Sequence, residues 1–251
     1  MKLLISPAKK MRAEDFLPPR TQPPLLEKSA QLLNYVRGLS LPQLKRLLAC
    51  NESLAQEAFE NFRAMELGRG TTPALLAYDG IQYKYMAPGV FTQAQLEYVG
   101  EHLRILSGFY GVLRPFDGVS PYRLEMQAKV KAPFCKNLYD FWGDSLYRTL
   151  TAGGEDTLLN LASAEYAKAV RPWVTPPVRW IDVTFGEADG DKVVEKGGYV
   201  KMARGEMVRF LAERNAETPE AAQGFDRLGY RFSPAHSTAA SYVFLREGRA
   251  N

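Results

Sequence analysis

The sequence predicts an α+β fold, a single compact domain in which a mixed sheet is surrounded by helices. Stretches with strand character (Lys2–Ile5, Thr157–Leu161, Val178–Phe185, Tyr242–Arg246) are interspersed with helical ones, but no repeating β-α rhythm joins them. Hydrophobic residues make up 46% and charged residues 24%, both near the globular average. The 251 residues contain no internal repeat and no low-complexity linker, so one domain is read over residues 1–251. A chain of this length buries enough surface to need no metal or disulfide staple.

The elements follow in order. Lys2–Ile5 reads as a short buried strand closed by Pro7. Pro18, Pro19, Pro23 and Pro24 make Arg12–Pro24 an irregular surface connection. Leu25, Leu26, Leu32, Leu33, Val36 and Leu39 recur near helical spacing. Ser40 with Gln43 resembles a capping box for a helix through Leu48, and Asn51 caps a third helix through Phe62. Thr92 with Gln95 opens a fourth, whose stripe Leu96, Val99, Leu103, Leu106 carries it to Leu106. Thr157–Leu161 is a buried strand, and Ser163 then caps a brief helix through Val170. Val178–Phe185 and Lys192–Glu195 flank the turn Ala188–Asp191, a hairpin signal. Val200, Ala203, Met207, Val208 and Leu211 mark another helix, and Tyr230–Phe232 and Tyr242–Arg246 close the chain as strands.

Charge and cysteine usage bound the function. The formal net charge is +4, from 32 Lys+Arg against 28 Asp+Glu, short of what signals a nucleic-acid binder by itself. Residues 1–125 hold 15 basic and 12 acidic side chains, so neither half is a basic tail. Cys50 and Cys135 form no C-x-x-C pair, which fits a reducing cytosol. No apolar stretch is long enough for a signal peptide or a bilayer span, and a cytoplasmic location is expected.

Familiar catalytic patterns are missing. There is no GxxxxGK[ST] and no GxSxG. Ser6-x-x-Lys9 matches S-x-x-K without a K-T-G partner. His102 and His236 have no ligand at metal spacing, and no Glu-x-x-His occurs. No metal site and no cofactor is expected.

The densest stretch is His102–Met126. Gly108 and Gly111 bracket Phe109 and Tyr110, giving a backbone that can turn sharply and expose N–H groups. Across residues 102–131, five basic side chains face two acidic ones. Such a turn beside Arg104, Arg114 and Arg123 suits a phosphate. Equally, those arginines can pair internally with Asp117 and Glu125. Lys9 and Lys10 sit just past a buried strand, as a solvated pair or a phosphate contact. Lys201, Arg204 and Arg209 lie near one helix with Gly205, as a solvated face or a continuation of a basic cleft. Phe141 and Trp142 read as core or as a stacking platform. Asn160 and Ser163 sit where sheets often place ligand groups, or bond local backbone. Lys168 and Tyr166 fall on different helix faces, so no Y-x-x-x-K is formed.

LSGFYGVLRPFD followed by PYRLEM resembles the hallmark segment of the YaaA family of bacterial peroxide-stress proteins. LLISPAK at the start, Leu138–Gly143, Asn160–Tyr166 and Ala203–Gly205 agree in order along nearly the whole chain. The resemblance implies an unusual single-domain α+β fold and a cytoplasmic protein of hydrogen-peroxide defence that limits damage from unincorporated iron. It also implies DNA binding through a positively charged cleft with a helix-hairpin-helix-like element, and no catalytic residue. Pro115 sits badly in such an element's second helix.

Two functions follow as expectations. One is double-stranded DNA or other nucleic acid held by its phosphates with little sequence preference, through Lys9, Lys10, Arg104, Gly108, Tyr110, Gly111, Arg114, Arg123, Lys168, Lys201 and Arg204. The other is an enzyme on a nucleotide or modified base, with Asp117, Glu125, Asn160 and Ser163 as the cleft's polar cluster. A closed pocket of a few hundred cubic ångströms favours the second; a groove as wide as a duplex favours the first. A direct iron site is disfavoured.

Overall fold

Buried on every residue, β1 (Lys2–Ile5) behaves as a continuous apolar run should in the middle of a parallel sheet. The computed structural model describes residues 1–14, 17–190 and 192–247; Asp15 and Phe16 of the proline-rich connection and Asp191 of the expected turn lie outside them. After β1 come the two-residue β2 (Lys10–Met11) and three helices, α1 (Leu26–Arg37), α2 (Leu41–Leu48) and α3 (Glu52–Ala64). The starts of α2 and α3 follow the residues expected to cap them. Ser40 and Gln43 form a capping box, and Asn51 Oδ1 accepts from the Leu54 N–H at 3.0 Å.

Short pieces then alternate: β3 (Thr72–Pro73), α4 (Ala74–Ala77), β4 (Tyr78–Asp79) and α5 (Ile81–Met86). β4 pairs antiparallel with β2. α6 (Gln93–His102) starts at Thr92, whose hydroxyl accepts from the Gln95 N–H at 3.3 Å while the Gln95 side chain accepts from the Thr92 N–H at 2.8 Å. The helix stops at His102, four residues before the expected end. Leu103–Ser107 is instead β5, in register with β1 through Leu3↔Leu103 and Ile5↔Ile105. The apolar stripe suits either helix or strand, and pairing with the central strand decides it.

β6 (Gly111–Leu113) returns antiparallel to β5, followed by β7 (Gly118–Val119), which pairs with β3. Gly108–Gly111 is therefore the tight connection of a strand hairpin, with no helix on either side, and the helix-hairpin-helix reading does not hold for this segment. The connection is buried: Phe109 and Tyr110 are core residues, and the Trp142 indole N–H donates to Gly108 O at 3.1 Å.

The rest comprises α7 (Leu138–Trp142), α8 (Ser145–Thr151), β8 (Thr157–Asn160), α9 (Ala164–Ala167), β9 (Arg179–Asp189), β10 (Lys192–Val194), α10 (Gly197–Glu213), β11 (Arg231–Phe232) and β12 (Ser241–Arg246). Trp142 is fully buried, as core. β9 and β10 form the expected antiparallel pair, and α9 ends three residues before Val170.

The main sheet runs β11-β12-β9-β8-β1-β5-β6, with β10 added on β9. β12, β9, β8, β1 and β5 are mutually parallel, and β11, β10 and β6 are antiparallel additions. The fold is thus α+β with a mixed sheet and surrounding helices, though its centre is more regular than the sequence suggests. From β1 the chain reaches β5 on one side, then crosses to β8 on the other and continues outward to β9 and β12. That reversal opens a crevice past the carboxyl ends of β1 and β8, the place where open parallel sheets receive ligands. Among the described residues, no helix is long and apolar enough to cross a membrane.

Candidate functional site

The crevice holds a cavity of about 430 Å³. Its floor is made where β1 and β8 end. The Ser163 N–H donates to Ser6 Oγ at 2.8 Å, and the Ser6 hydroxyl lies 3.2 Å from that of Ser163. Ser163 therefore ties the two strand ends together instead of capping α9, which has no side-chain cap. The Tyr83 hydroxyl donates to Ser6 O at 3.0 Å and brings α5 over the strand end.

α10 forms the next wall. A Cβ on Gly205 would stand 2.1 Å from Gln82 O, so only glycine lets α10 lie this close to α5. The contact places Arg204 and Lys201 beside Gln82 and Tyr83. The last wall is the segment from Tyr122 to Glu125. It passes over Gly108, where a Cβ would stand 2.3 Å from Leu124 O, and Tyr122 is anchored to the Ser107 hydroxyl at 2.6 Å. Gly108 thus serves the cavity from beneath, by letting Arg123 and Glu125 reach it.

Cations dominate the lining, unevenly paired. Lys9 reaches Glu125 at 2.9 Å and Lys10 reaches Asp79 at 3.1 Å; both ammonium groups stand at the rim, 66% and 76% exposed. Lys84 also approaches Asp79, at 3.5 Å, and Lys10 and Lys84 together hold that carboxyl below its ordinary range. The deeper arginines are less satisfied. Arg123 lies 3.6 Å from Glu125, and Arg204, only 12% exposed, has Glu195 no nearer than 3.9 Å. Burial pulls the Arg204 guanidinium down from its usual value.

Among the described residues, four buried side-chain polar atoms have no hydrogen-bond partner. Three of them, Gln82 Nε2, Arg123 Nε and Arg204 Nε, belong to residues of this cavity wall. Each is a donor. Buried polar groups are satisfied almost everywhere in folded proteins, so three unpaired donors on residues that line one cavity set this region apart.

Glu165 lines the same cavity, with no ion pair among the described residues. It accepts the Gln127 N–H at 3.1 Å. Burial raises its carboxyl above the usual range and the nearby Glu125 charge adds to the rise; backbone N–H groups and Lys9 oppose them. Tyr83, Tyr122 and Tyr166 supply aromatic surface, and burial raises all three phenols well above their ordinary value.

Of the residues singled out in the sequence, Lys9, Lys10, Arg123, Glu125, Ser163, Lys201 and Arg204 meet in this cavity. Arg204 also borders an adjoining open groove of about 690 Å³ that includes Asn160, Lys168, Arg171 and Asp182. Asn160 donates to Asp182 at 2.9 Å and accepts the Ala162 N–H at 3.0 Å, its local bonding role. Lys168 lies 5.0 Å from the Tyr139 ring centroid.

The other residues are structural. Arg104 is largely buried and donates to Leu103 O at 2.7 Å and Gly100 O at 3.2 Å. Arg114 is an internal clamp: it pairs at 3.0 Å with Asp117, which is fully buried, and donates to Gln22 O at 2.7 Å. Asp117 accepts in addition from the Thr21 hydroxyl at 2.6 Å and the Arg114 N–H at 2.8 Å, so it belongs to no cleft. Tyr110 accepts the Ser120 N–H at 3.2 Å, and burial pushes its phenol up to about 12. Gly111, at φ +77°, lies against Trp142, Leu25 and Leu146. Arg104, Gly108, Tyr110, Gly111 and Arg114 therefore line neither the cavity nor the groove.

Sequence reasoning missed Gln82, Tyr83, Asp79 and Glu165. Ser6, Tyr122 and Tyr166 lie in the motifs noted in the sequence but were given no role in the cleft. Two signals pointed to them: Ser6 directly follows a buried strand, and Gly80 and Gly205 mark close approaches. A Cβ on Gly80 would stand 2.7 Å from that of Ala8.

Comparison with known proteins agrees along the chain. The family described as "Peroxide stress protein YaaA" matches residues 1–236. A UPF0246 protein of Desulfitobacterium hafniense is 51% identical over 247 residues, covering 98% of each chain. UPF0246 proteins of Agathobacter rectalis and Lactiplantibacillus plantarum are 49% and 48% identical, over 98% of this chain and 99% of theirs. With this likeness end to end, and with the hallmark segment building one wall of the cavity, the chain belongs to the YaaA (UPF0246) peroxide-stress family.

Proposed function

We propose that this peroxide-stress protein binds nucleic acid one nucleotide unit at a time, seating a phosphate on Gln82, Arg123 and Arg204 in the cavity between β1 and β8. The observation that carries the reading is the meeting of Arg204, 12% exposed and 3.9 Å from Glu195, with Arg123 and Gln82 on one cavity, each with a buried polar atom left unpaired. A phosphate accepts from guanidinium and amide N–H groups, and the guanidinium forks favour its geometry. The aromatic side formed by Tyr83, Tyr122 and Tyr166 offers a surface for a base.

Size favours a single unit over a whole duplex. A cavity of about 430 Å³ is on the scale of small-molecule sites and cannot admit a duplex about 20 Å across. The ligand is a free nucleotide or an unpaired nucleotide extruded from DNA. In the second case Lys9, Lys10, Lys84, Lys201 and Lys168, with exposed side chains around the mouth and the adjoining groove, attract the flanking phosphates. A role in the cytoplasm, guarding DNA against peroxide and iron damage, accords with the family and with two unpaired cysteines.

Titration calorimetry tests this with four ligands: thymidine 5′-monophosphate, a single-stranded oligonucleotide, a duplex with one extrahelical base and a perfect duplex. Saturable binding of the mononucleotide or of the two DNAs with an accessible base, weakened at least tenfold by Arg204→Met, is expected. Tightest binding by the perfect duplex, insensitive to Arg204, refutes it.

A further inference from the structure

The cavity carries more than an anion seat. Two carboxyl groups line the same cavity, delivered by different parts of the chain, Glu125 from the segment over Gly108 and Glu165 from α9. Their surroundings differ. Glu125 is held by Lys9 at 2.9 Å and Arg123 at 3.6 Å. Glu165 has no cation within ion-pair distance among the described residues, and its side-chain contact is the Gln127 N–H. Two neighbouring carboxyls in unlike environments are how hydrolases divide the roles of proton donor and proton acceptor.

We propose that the cavity hydrolyses the N-glycosidic bond of the nucleotide it seats, with Glu165 giving a proton to the departing base and Glu125 receiving one from the attacking water. The proposal rests on the nucleotide reading above. In the step, the bond between the anomeric carbon and the base nitrogen breaks, its electron pair leaves with the nitrogen, and that nitrogen takes the Glu165 proton. The water oxygen bonds to the anomeric carbon and its proton passes to Glu125. One water is consumed, and the products are a free base and a sugar phosphate. Proton exchange with solvent restores both carboxyls, and nothing is oxidised or reduced.

The arrangement suits this bond. The phosphate seat fixes the sugar by its 5′ end, and binding energy from that remote group can be spent on orienting the reacting centre. A nitrogen base is a poor leaving group unless protonated, which calls for an acid still carrying its proton near neutrality. Burial raises the Glu165 carboxyl in that direction. The groups acting on it are Glu125, Lys9, and the Gln127 and Met126 N–H groups; Tyr139 and Tyr166 lie close as well. Little is asked of Glu125, because water becomes strongly acidic as it bonds to an oxocarbenium-like carbon.

The test measures free base by chromatography from deoxynucleoside 5′-monophosphates and from an oligonucleotide with an extrahelical base, and binding of the same compounds by calorimetry. Wild-type protein is expected to release base, and Glu165→Gln to lower the rate by roughly 10²–10⁴-fold with binding unchanged within about threefold. p-Nitrophenyl 2-deoxyriboside 5-phosphate, whose leaving group needs no proton, is expected to be cleaved by the two proteins at similar rates, a rescue that a structural role for Glu165 does not produce. Binding without base release, or equal release by Glu165→Gln, overturns the inference and leaves the nucleotide reading standing. Absence of nucleotide binding overturns both.

Discussion

Replacing Arg204 with methionine is expected to stabilise the protein while removing its anion seat. The guanidinium is 12% exposed, its Nε has no acceptor, and its ion-pair partner, Glu195, is 3.9 Å away and about half exposed. An unsatisfied buried donor costs about 1–3 kcal/mol, and more when it belongs to a charged group. A long, solvent-facing ion pair returns at most about 1 kcal/mol. Methionine fills much the same volume without the orphaned donor, so the net gain is about 1 kcal/mol. For a chain of this size that is a rise in Tm of about 2–4 °C. Differential scanning calorimetry in a buffer free of phosphate and sulfate reads it directly. Added phosphate stabilises the wild type by mass action, by about 1.4 kcal/mol at ten times its Kd, and so raises its Tm, while that of Arg204→Met is unmoved. A lower Tm for the variant in the anion-free buffer refutes the reasoning, because Arg204 would then be a structural clamp.

Arg114→Ala is expected to do the opposite. It strips Asp117, fully buried, of one of its partners, costing about 2–3 kcal/mol and lowering Tm by several degrees, while mononucleotide binding by calorimetry stays within about twofold. Gly205→Ala forces a Cβ to within 2.1 Å of Gln82 O, so α10 and α5 must part. A loss of about 1–3 kcal/mol or more in urea unfolding is expected, together with weakened anion binding. The pH dependence of Tm carries a signed prediction. Because Glu165 is raised in the folded state, its contribution to stability is present below the ordinary carboxylate range and lost as pH rises through the raised value. Near neutral pH, Glu165→Gln is therefore at least as stable as the wild type. Glu213 runs the other way. Against the pull of burial, hydrogen bonds from Arg209 and Arg227 hold it low. Its contribution is present above the ordinary range and lost as pH falls through the lowered value, a loss that Glu213→Gln removes from the acid limb.

How far the sequence carries can be judged residue by residue. Ser40, Asn51 and Thr92 cap where their chemistry requires, because a cap depends only on residues three positions away. Leu103–Leu106 resisted such reading: a helical stripe and a buried strand contain the same residues, and only the partner strand Leu3–Ile5 separates them. Half of the site was legible. Lys9, Lys10, Arg123, Glu125, Ser163, Lys201 and Arg204 meet although their segments are far apart, since strand ends and the close contacts at Gly108 and Gly205 fix their places. Arg104 and Arg114 have the same composition signal as Arg123, but their partners, the Gly100 carbonyl and the fully buried Asp117, lie away from the cavity, whereas Arg123's partner Glu125 lines it. Gln82 and Glu165 carry no sequence signal of their own. What makes each notable is an acceptor or a cation missing from its surroundings, and that is a property of the assembled cavity alone.

The most direct measurement is a crystal structure of the protein soaked with thymidine 5′-monophosphate. The phosphate is expected within hydrogen-bond distance of the Gln82 amide and the Arg123 and Arg204 guanidinium groups, with the sugar turned toward Glu125 and Glu165. A nucleotide bound elsewhere, such as the groove of Lys168 and Arg171, with the three donors still unmet, contradicts the account.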